Sequence, residues 1–227
     1  MTIHFRREID KLKKLILSLG AIVEETVQKA ITALENKDIK LAKIIIKNDN
    51  IVDEKEVEVE EECLKILALY QPVASDLRYI VSVLKINNDL ERVGDIAVHI
   101  AERIPSIASS SEPEILRKKI NFDRMVEIVV NMLKMSLDAL INLDTNLARQ
   151  ICKMDDEIDH LHELMFNIVE ELIIAEPKHS SLFLQYLSVS RYLERIADLT
   201  TNIAEDVVYL VEGEIARHDK KKLCLEK

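Results

Sequence analysis

Two stretches of this chain repeat nearly the same thirteen residues. "LERVGDIAVHIAE" occupies residues 90–102 and "LERIADLTTNIAE" occupies residues 193–205, so the two copies start 103 positions apart. Both copies place Glu-Arg second and third, Asp sixth and Ile-Ala-Glu last. A motif that recurs in this way indicates that one structural unit occurs twice in the chain.

The duplication extends beyond these two stretches. "KAITALENKDIKLAKIIIKNDNIVD" at residues 29–53 aligns with "MSLDALINLDTNLARQICKMDDEID" at residues 135–159, with an offset of 106. Pro72 then aligns with Pro177, and the offset varies by only three residues along the whole alignment. The two halves are therefore predicted to share one fold.

The composition predicts an all-α protein. Of the 227 residues, 48% are hydrophobic and 32% are charged, and only three Gly and four Pro interrupt the chain, which suits long helices. Helical periodicity predicts helices at residues 4–35, 38–70, 73–104, 118–142, 145–175 and 180–213. Short loops make consecutive helices antiparallel neighbours. The sequence thus predicts two tandem, pseudo-equivalent three-helix bundles, with domains at residues 1–107 and 115–217.

Local signals mark the ends of these helices. Asp38 and Asp144 stand where N-caps are expected, and Gly213 follows the last periodic stretch. The segment "PSIASSSEPE" at residues 105–114 is of low complexity. We therefore predict that it forms the hinge between the two halves.

The charge and the cysteines exclude several classes of protein. A net charge of −10 argues against binding nucleic acid, whose phosphates attract Lys and Arg. The short basic run at residues 220–222 is interpreted as a solvated terminus. Cys63, Cys152 and Cys224 are odd in number and widely spaced, which predicts neither a disulfide framework nor a thiolate metal site. No apolar run reaches the ~20 residues of a membrane span, so a cytoplasmic protein is expected.

Acidic residues recur on one face of the predicted helices. At 100° per residue, Glu91, Asp95 and Glu102 fall within about 40° of one another, opposite the apolar residues, and so point away from the core. The middle helix of each half carries a further acidic pair, and antiparallel packing brings it alongside the last helix. The candidate cation ligands are Asp49, Asp53, Glu91 and Asp95 in the first half and Asp155, Asp159, Glu194 and Asp198 in the second.

These acidic residues have two interpretations. They form solvated helix faces balanced by Arg92, Arg195 and nearby Lys residues, or they form cation sites of oxygen ligands, which suit Mg, Ca, Mn or Fe. Their recurrence at matched positions favours a shared role. His162, three residues after Asp159, offers a nitrogen ligand, although a solvent-facing histidine is the simpler interpretation.

The D-x-x-x-D helix, the Gln/Glu-Pro break and the two E-R-x-x-D-x-x-x-x-I-A-E motifs together resemble the PhoU family of phosphate-uptake regulators, over essentially the whole chain. The resemblance implies tandem three-helix bundles in a cytoplasmic protein that is peripheral to the membrane through its partners. It implies partnership with the ATPase of the phosphate ABC transporter and with the phosphate-sensing histidine kinase. It also implies repression of the phosphate-starvation response when phosphate is plentiful.

The resemblance further implies multinuclear Fe or Zn at the eight acidic residues named above. His99 stands where the second copy has Asn202, and Ala197 replaces the glycine that the first copy keeps as Gly94. Neither difference removes an acidic ligand. The sequence is compatible with either a homodimer or a monomer.

Enzymatic functions find no support in the sequence. There is no Gly-rich phosphate loop, no G-x-S-x-G motif and no His, Cys and Asp grouping at catalytic spacing. Two classes of function remain: a regulatory adaptor and, as the alternative, a carboxylate-cluster protein whose primary role is metal handling. A helical co-chaperone-like module is a third class, supported only by analogy of fold.

Overall fold

A computed structural model describes residues 3–213, except for the side chains of residues 117 and 118. The described chain forms α1 (Ile3–Glu35), α2 (Ile39–Lys47), α3 (Asn50–Tyr70), α4 (Ala74–Ser109), α5 (Glu114–Lys119), α6 (Asp123–Asn142), α7 (Thr145–Ala175), a 3-10 turn (Pro177–His179) and α8 (Ser180–Glu212). It contains no strand, which confirms the all-α prediction. Cys224, the basic run at 220–222 and the predicted domain end at 217 lie outside the described residues.

The helices form two bundles that pack against each other. The first contains α1, α2, α3 and α4, the second contains α6, α7 and α8, and α4 packs along α8 between them. Near the start of α4, Arg78 donates from Nε to the carbonyl of Leu210 at 2.9 Å. Near its end, the His99 ring lies 5.7 Å from the Tyr192 ring. These contacts show that α4 and α8 run antiparallel, and the tandem-bundle prediction is confirmed.

Two contacts between the bundles are close. An added Cβ at Gly20 of α1 would lie 2.6 Å from Cδ2 of Leu137 on α6, so the glycine lets these helices approach. Lys85 of α4 places Nζ 3.2 Å from Asp206 of α8 and 4.9 Å from the centre of the Tyr209 ring. Asp206 is only 1% exposed. The interface thus buries a charge of the second bundle against a cation of the first.

The predicted helix 38–70 is interrupted in the structure. Asn48 has φ −95° and ψ 11°, and its N–H is shared between the carbonyls of Ile44 and Ile45 at 3.1 Å each. Asn and Asp side chains compete for backbone hydrogen bonds, which weakens a helix at Asn48 and Asp49. The aligned position in the second half is Met154, and α7 continues through it. The prediction of one helix was therefore wrong for the first half only.

The segment between the halves also differs from its prediction. α4 continues through Pro105 to Ser109, because the extra turn buries Ile107, which is 1% exposed. α5 begins at Glu114, and a new helix, α6, starts at Asp123, where the sequence predicted one helix from residue 118. The predicted hinge is thus partly helical.

The connecting segment contacts both bundles. The Glu112 carboxylate forms an ion pair with Nζ of Lys37 at 2.5 Å, and it accepts a hydrogen bond from the Tyr186 hydroxyl. Its side chain is 6% exposed. Lys37 follows α1 and Tyr186 belongs to α8, so one carboxylate links the two bundles across the segment predicted to be a hinge.

The predicted caps are confirmed. Asp38 and Asp144 each accept backbone N–H bonds at 2.9 and 3.0 Å from the second and third residues that follow. Gly213 ends α8 with φ 77° in the left-handed region. Cys63 and Cys152 are buried, and neither forms a disulfide. Within residues 3–213, no helix combines the length and the apolar character that crossing a bilayer requires.

Candidate metal site

The first acidic cluster lies where the break between α2 and α3 faces α4. Asp49 directly precedes α3, Asp53 lies in its first turn, and Asp95 projects from α4. One carboxylate oxygen from each of these three residues lies within 4.8 Å of the others. Asp49 and Asp95 are half-buried and Asp53 is exposed. The structure thus brings together three of the four candidate ligands of the first half.

Glu91, the fourth candidate, lies one turn before Asp95 on α4. It is half-buried. Burial raises the pKa of its carboxyl, and the charges of Asp95 and Asp53 raise this pKa further. Glu91 therefore faces the same cluster, although it is not one of the three residues that converge.

The cluster carries unfavourable electrostatic energy when it is metal-free. Burial raises the pKa of the Asp49 carboxyl, and so do the charges of Asp53 and Asp95. A raised carboxyl pKa means that the folded protein disfavours the charged form. A bound cation would relieve this repulsion, and oxygen ligands fit hard divalent cations.

Gly94 allows the two helices of this cluster to approach each other. A Cβ at Gly94 would lie 3.1 Å from Cγ1 of Val52 on α3. Asp53 follows Val52 and Asp95 follows Gly94, and both aspartates belong to the three that converge. The small residue thus helps to hold the two carboxylates close, whereas the aligned residue of the second half is Ala197.

The second acidic cluster is built differently. Asp155 is buried, at only 3% exposed, whereas the aligned Asp49 is half-buried. Burial raises the pKa of Glu194, and the charges of Asp159 and Asp155 raise it further, so these side chains are neighbours. Asp198 lines a groove together with Asp155. Within the described chain, however, no three acidic side chains of this half converge as those of the first half do.

The difference between the clusters follows from the helix break. In the first half the chain breaks before Asp49, which leaves this residue at the beginning of α3. In the second half α7 runs unbroken, so Asp155 stays in the middle of a helix and turns toward the core. Aligned residues therefore occupy unlike environments.

His162 is not solvent-facing, contrary to the simpler interpretation. It is half-buried, and its Nδ1 lies 2.8 Å from the hydroxyl of Ser190. Burial lowers the pKa of His162. The aligned residues of the first half, Glu56 and Asn87, are also bonded, from Asn87 Nδ2 to Glu56 Oε1 at 3.1 Å. Each half thus has a polar pair at the end of its acidic stripe.

Tyr192 is a neighbour of the first cluster that the sequence motifs did not predict. It reaches across from the second bundle, stacks on His99 and lies 5.9 Å from the guanidinium of Arg103. The charge of His99 opposes the rise in the pKa of Asp49, which places this histidine beside the cluster. The residue that aligns with Tyr192 is Asp89. Asp89 has no ring, so the second cluster lacks the matching aromatic contact from the first bundle.

In place of that contact, the second cluster opens onto a groove between α4 and α8. The groove has a volume of about 1000 Å³. Arg92 of the first bundle lines it together with Asp155 and Asp198 of the second. The two acidic clusters therefore differ in the surface beside them as well as in their geometry.

The raised carboxyl pKa values predict how metal-free stability depends on pH. A group whose pKa is raised by folding stabilises the protein below its unfolded pKa, and this contribution is lost as pH rises through the folded pKa. The variant E91Q/E194Q should therefore be more stable than the parent at pH 7, and this difference should shrink at pH 5. Urea unfolding in EDTA at both pH values measures this difference in the free energy of unfolding, and Glu61→Gln on α3 is the control. An equal difference at both pH values would show that folding does not raise the pKa of these carboxyls.

Known proteins that resemble this chain in sequence fall in one family. The PhoU domain family matches residues 16–104 and again residues 122–207. A "Phosphate-specific transport system accessory protein PhoU homolog" of Aquifex aeolicus is 37% identical over 216 residues, which cover 95% of this chain and 96% of that protein. A protein of the same description from Clostridium acetobutylicum is 35% identical over 210 residues, which cover 92% and 94%.

Solved structures agree in both fold and sequence. The crystal structure of PhoU from Pseudomonas aeruginosa has a TM-score of 0.87 and 33% identity, and the match covers 92% of this chain and all of that one. The phosphate transport system regulatory protein PhoU from Streptococcus pneumoniae has a TM-score of 0.79 and 32% identity. Each of the two family matches coincides with one helical bundle, and so this chain belongs to the PhoU family.

Proposed function

We propose that this protein is a cytoplasmic, non-enzymatic regulator of phosphate uptake. It acts as an adaptor between the ATPase of the phosphate ABC transporter and the phosphate-sensing histidine kinase, and it represses the phosphate-starvation response when phosphate is plentiful. The observation that carries this proposal is the similarity, over more than nine-tenths of the chain, to proteins described as accessory to the phosphate-specific transport system.

The surface of the described chain supports recognition of partners rather than direct binding of phosphate. The acidic clusters repel a free phosphate anion, because their carboxylates already disfavour additional negative charge. Long helices instead offer extended, rigid faces for another protein. In this proposal, information about phosphate reaches the protein through its partners, and the partners also bring it to the membrane.

Deletion of the gene tests this function. In medium rich in phosphate, the deletion strain should express phosphate-starvation genes that the parent strain represses, because the adaptor that conveys sufficiency is missing. Transcript levels in both media measure the effect, and a plasmid copy of the gene should restore repression. Unchanged expression in the deletion strain, or turnover of a phosphate ester by the purified protein alone, would contradict the proposal.

We propose metal binding at the first acidic cluster as a second role. Three carboxylate oxygens within 4.8 Å of one another, from Asp49, Asp53 and Asp95, support it. These residues would hold the cation with Glu91 beside them, and the Fe or Zn of the family resemblance is the proposed metal. A bound cation neutralises the cluster and fixes α3 against α4.

The second cluster is proposed as a further, less preformed metal site. Its candidate ligands remain Asp155, Asp159, Glu194 and Asp198. Elemental analysis of protein purified without a metal-affinity tag, combined with a pull-down of the transporter ATPase, separates metal handling from the adaptor role. Bound metal without capture of the ATPase would favour metal handling as the primary function.

A further inference from the structure

His99 lies beside the first acidic cluster, on the same side of α4. It follows Asp95 by four residues, and side chains at this spacing on a helix have Cβ atoms about 5–6 Å apart. Burial raises the pKa of the Asp49 carboxyl, and the charge of His99 acts in the opposite direction. The His99 ring is therefore close to two of the three converging aspartates, although its nitrogens do not belong to the group of atoms within 4.8 Å of one another.

The ring nitrogens of His99 are accessible to a cation. The side chain is exposed, and neither nitrogen forms a hydrogen bond with another residue of the described chain. The ring stacks on Tyr192 with the two planes 24° apart. Tyr192 therefore covers a face of the ring and leaves uncovered its edge, which carries both nitrogens. A neutral imidazole has a lone pair on one nitrogen, and this nitrogen is the commonest metal-binding atom of proteins.

The second acidic cluster has an amide where the first has this imidazole. Asn202 aligns with His99 and follows Asp198 by four residues, as His99 follows Asp95. It lines the groove together with Asp198, and its side chain offers an oxygen as the acceptor. His162 lies at the other end of that acidic stripe, where its Nδ1 is 2.8 Å from the Ser190 hydroxyl. At the matched position, the two halves therefore present different donor atoms.

A nitrogen donor changes which cation the first cluster favours. Carboxylates suit Mg²⁺, Ca²⁺ and Mn²⁺, whereas imidazole suits Zn²⁺ and Fe²⁺. Two ligands four residues apart on one helix face bind the same Zn²⁺ in the H-E-x-x-H motif, and Asp95 and His99 have this spacing. With Asp49 and Asp53 they supply four ligands, the number in a closed tetrahedral zinc site. The donor set thus fits zinc in both its atoms and its number.

We propose that His99 is a nitrogen ligand of the first cluster, that it makes this cluster selective for Zn²⁺ over Mn²⁺, and that Tyr192 positions its ring. The proposal rests on metal binding at the first cluster, the second role proposed above, and it adds a ligand and a selectivity to that role. Tyr192 belongs to α8, so the second bundle orients a ligand for a site in the first. The affinity for zinc therefore depends on how the two bundles pack.

Titration calorimetry of a protein with only the first cluster intact tests the ligand. The reference is the full chain with D155N/D159N/D198N, which disables the second cluster, and H99N then introduces the residue of the second half. We expect H99N to raise Kd for Zn²⁺ by about tenfold or more, because losing a ligand costs at least as much as losing an outer-shell partner. Kd for Mn²⁺ should stay within about threefold, because manganese gains little from imidazole.

His4→Asn is the matched control. The Phe5 ring lies 5.4 Å from the Tyr70 ring, which places the start of α1 beside the end of α3. The first cluster lies at the other end of α3, about 30 Å away at 1.5 Å per residue. The control makes the same exchange of an exposed histidine far from the cluster, and it should leave Kd for both cations unchanged.

Two further measurements observe the ring and its support. In ¹H–¹⁵N spectra of the histidine side chains, Zn²⁺ should shift a ring-nitrogen resonance that H99N lacks. Y192L should raise Kd for Zn²⁺ by about threefold or more in the reference, because the ring is no longer held in place. In the H99N background, Y192L should have no further effect, which distinguishes positioning of His99 from a general loss of stability. Circular dichroism melting checks that each variant is folded.

The outcomes separate this proposal from the metal role. If the reference binds no Zn²⁺, metal binding at the first cluster is itself wrong. If the reference binds Zn²⁺ and H99N binds it equally well, or the His99 resonance does not respond, His99 is not a ligand and the metal role stands. Equal losses for Zn²⁺ and Mn²⁺ in H99N would overturn the selectivity. Equal effects of Y192L with and without His99 would overturn the positioning role of Tyr192.

Discussion

Lys85→Ala is expected to lower the free energy of unfolding by roughly 1.5–3 kcal/mol, the range for hydrogen bonds to charged groups. Lys85 Nζ lies 3.2 Å from Asp206, whose side chain is 2% exposed. Removing the cation takes the Lys85 ion pair away from a buried carboxylate of the second bundle. The value stays below the 3–5 kcal/mol of a fully buried pair because the Lys85 side chain is 33% exposed to solvent.

Urea unfolding of the parent and three variants measures this contribution. Asp206→Asn and the double variant K85A/D206N complete a double-mutant cycle, and the double variant should recover part of the loss because no charge remains buried. Lys119→Ala is the control, since the Lys119–Glu171 pair is 39% and 66% exposed and should contribute less than about 0.5 kcal/mol. If Lys85→Ala changes stability no more than this control does, the ion pair does not hold the bundles together.

Added Fe²⁺ or Zn²⁺ is expected to stabilise the protein by about 2.7 kcal/mol when the free metal is a hundredfold above Kd. For a chain of this size, such a change raises Tm by roughly 5–10 °C. The physical cause is the relief of repulsion among Asp49, Asp53 and Asp95, whose oxygens lie within 4.8 Å of one another. Calorimetry of EDTA-treated protein with and without added metal measures the increment.

The variant D49N/D53N/D95N should lose at least half of this increment. It should melt no lower than the parent without metal, because it removes like charges from a surface cluster. D155N/D159N/D198N should reduce the remainder, and the combination of both sets should abolish it. E54Q/E58Q/E61Q removes three exposed charges from the same helix, α3, and should keep the full increment. An unchanged increment in the combined variant would show that the clusters are solvated faces or docking surfaces.

The repeat and the helical periodicity were sufficient to predict the fold class. The spacing of apolar residues determines which face of each helix is buried, and the aligned motifs require the two halves to share an architecture. Asp38, Asp144 and Gly213 act on the few residues beside them, so their capping roles were also readable from the sequence. These features depend on contacts within about one turn of the chain.

The acidic residues could be predicted as two stripes but not as two unlike clusters. Helical periodicity predicted a continuous helix at residues 38–70, whereas the break at Asn48 leaves Asp49 at the start of α3. The spacing of the acidic pairs also gave no sign that Asp155 is buried, at only 3% exposed. Metal binding at either cluster stays a prediction, since proximity of carboxylates is compatible with both a cation site and a solvated face.

Contacts between the bundles were decided by the tertiary structure alone. Tyr192 stacks on His99, 93 positions away, and Lys85 pairs with Asp206, 121 positions away. Such contacts depend on the angle and register at which α4 crosses α8, and these are set by the packing of many side chains at once. Local periodicity states which face of a helix is apolar. It does not determine which residue of a distant helix lies opposite. For that reason the two bundles could be predicted from the sequence, while the groove between α4 and α8 could not.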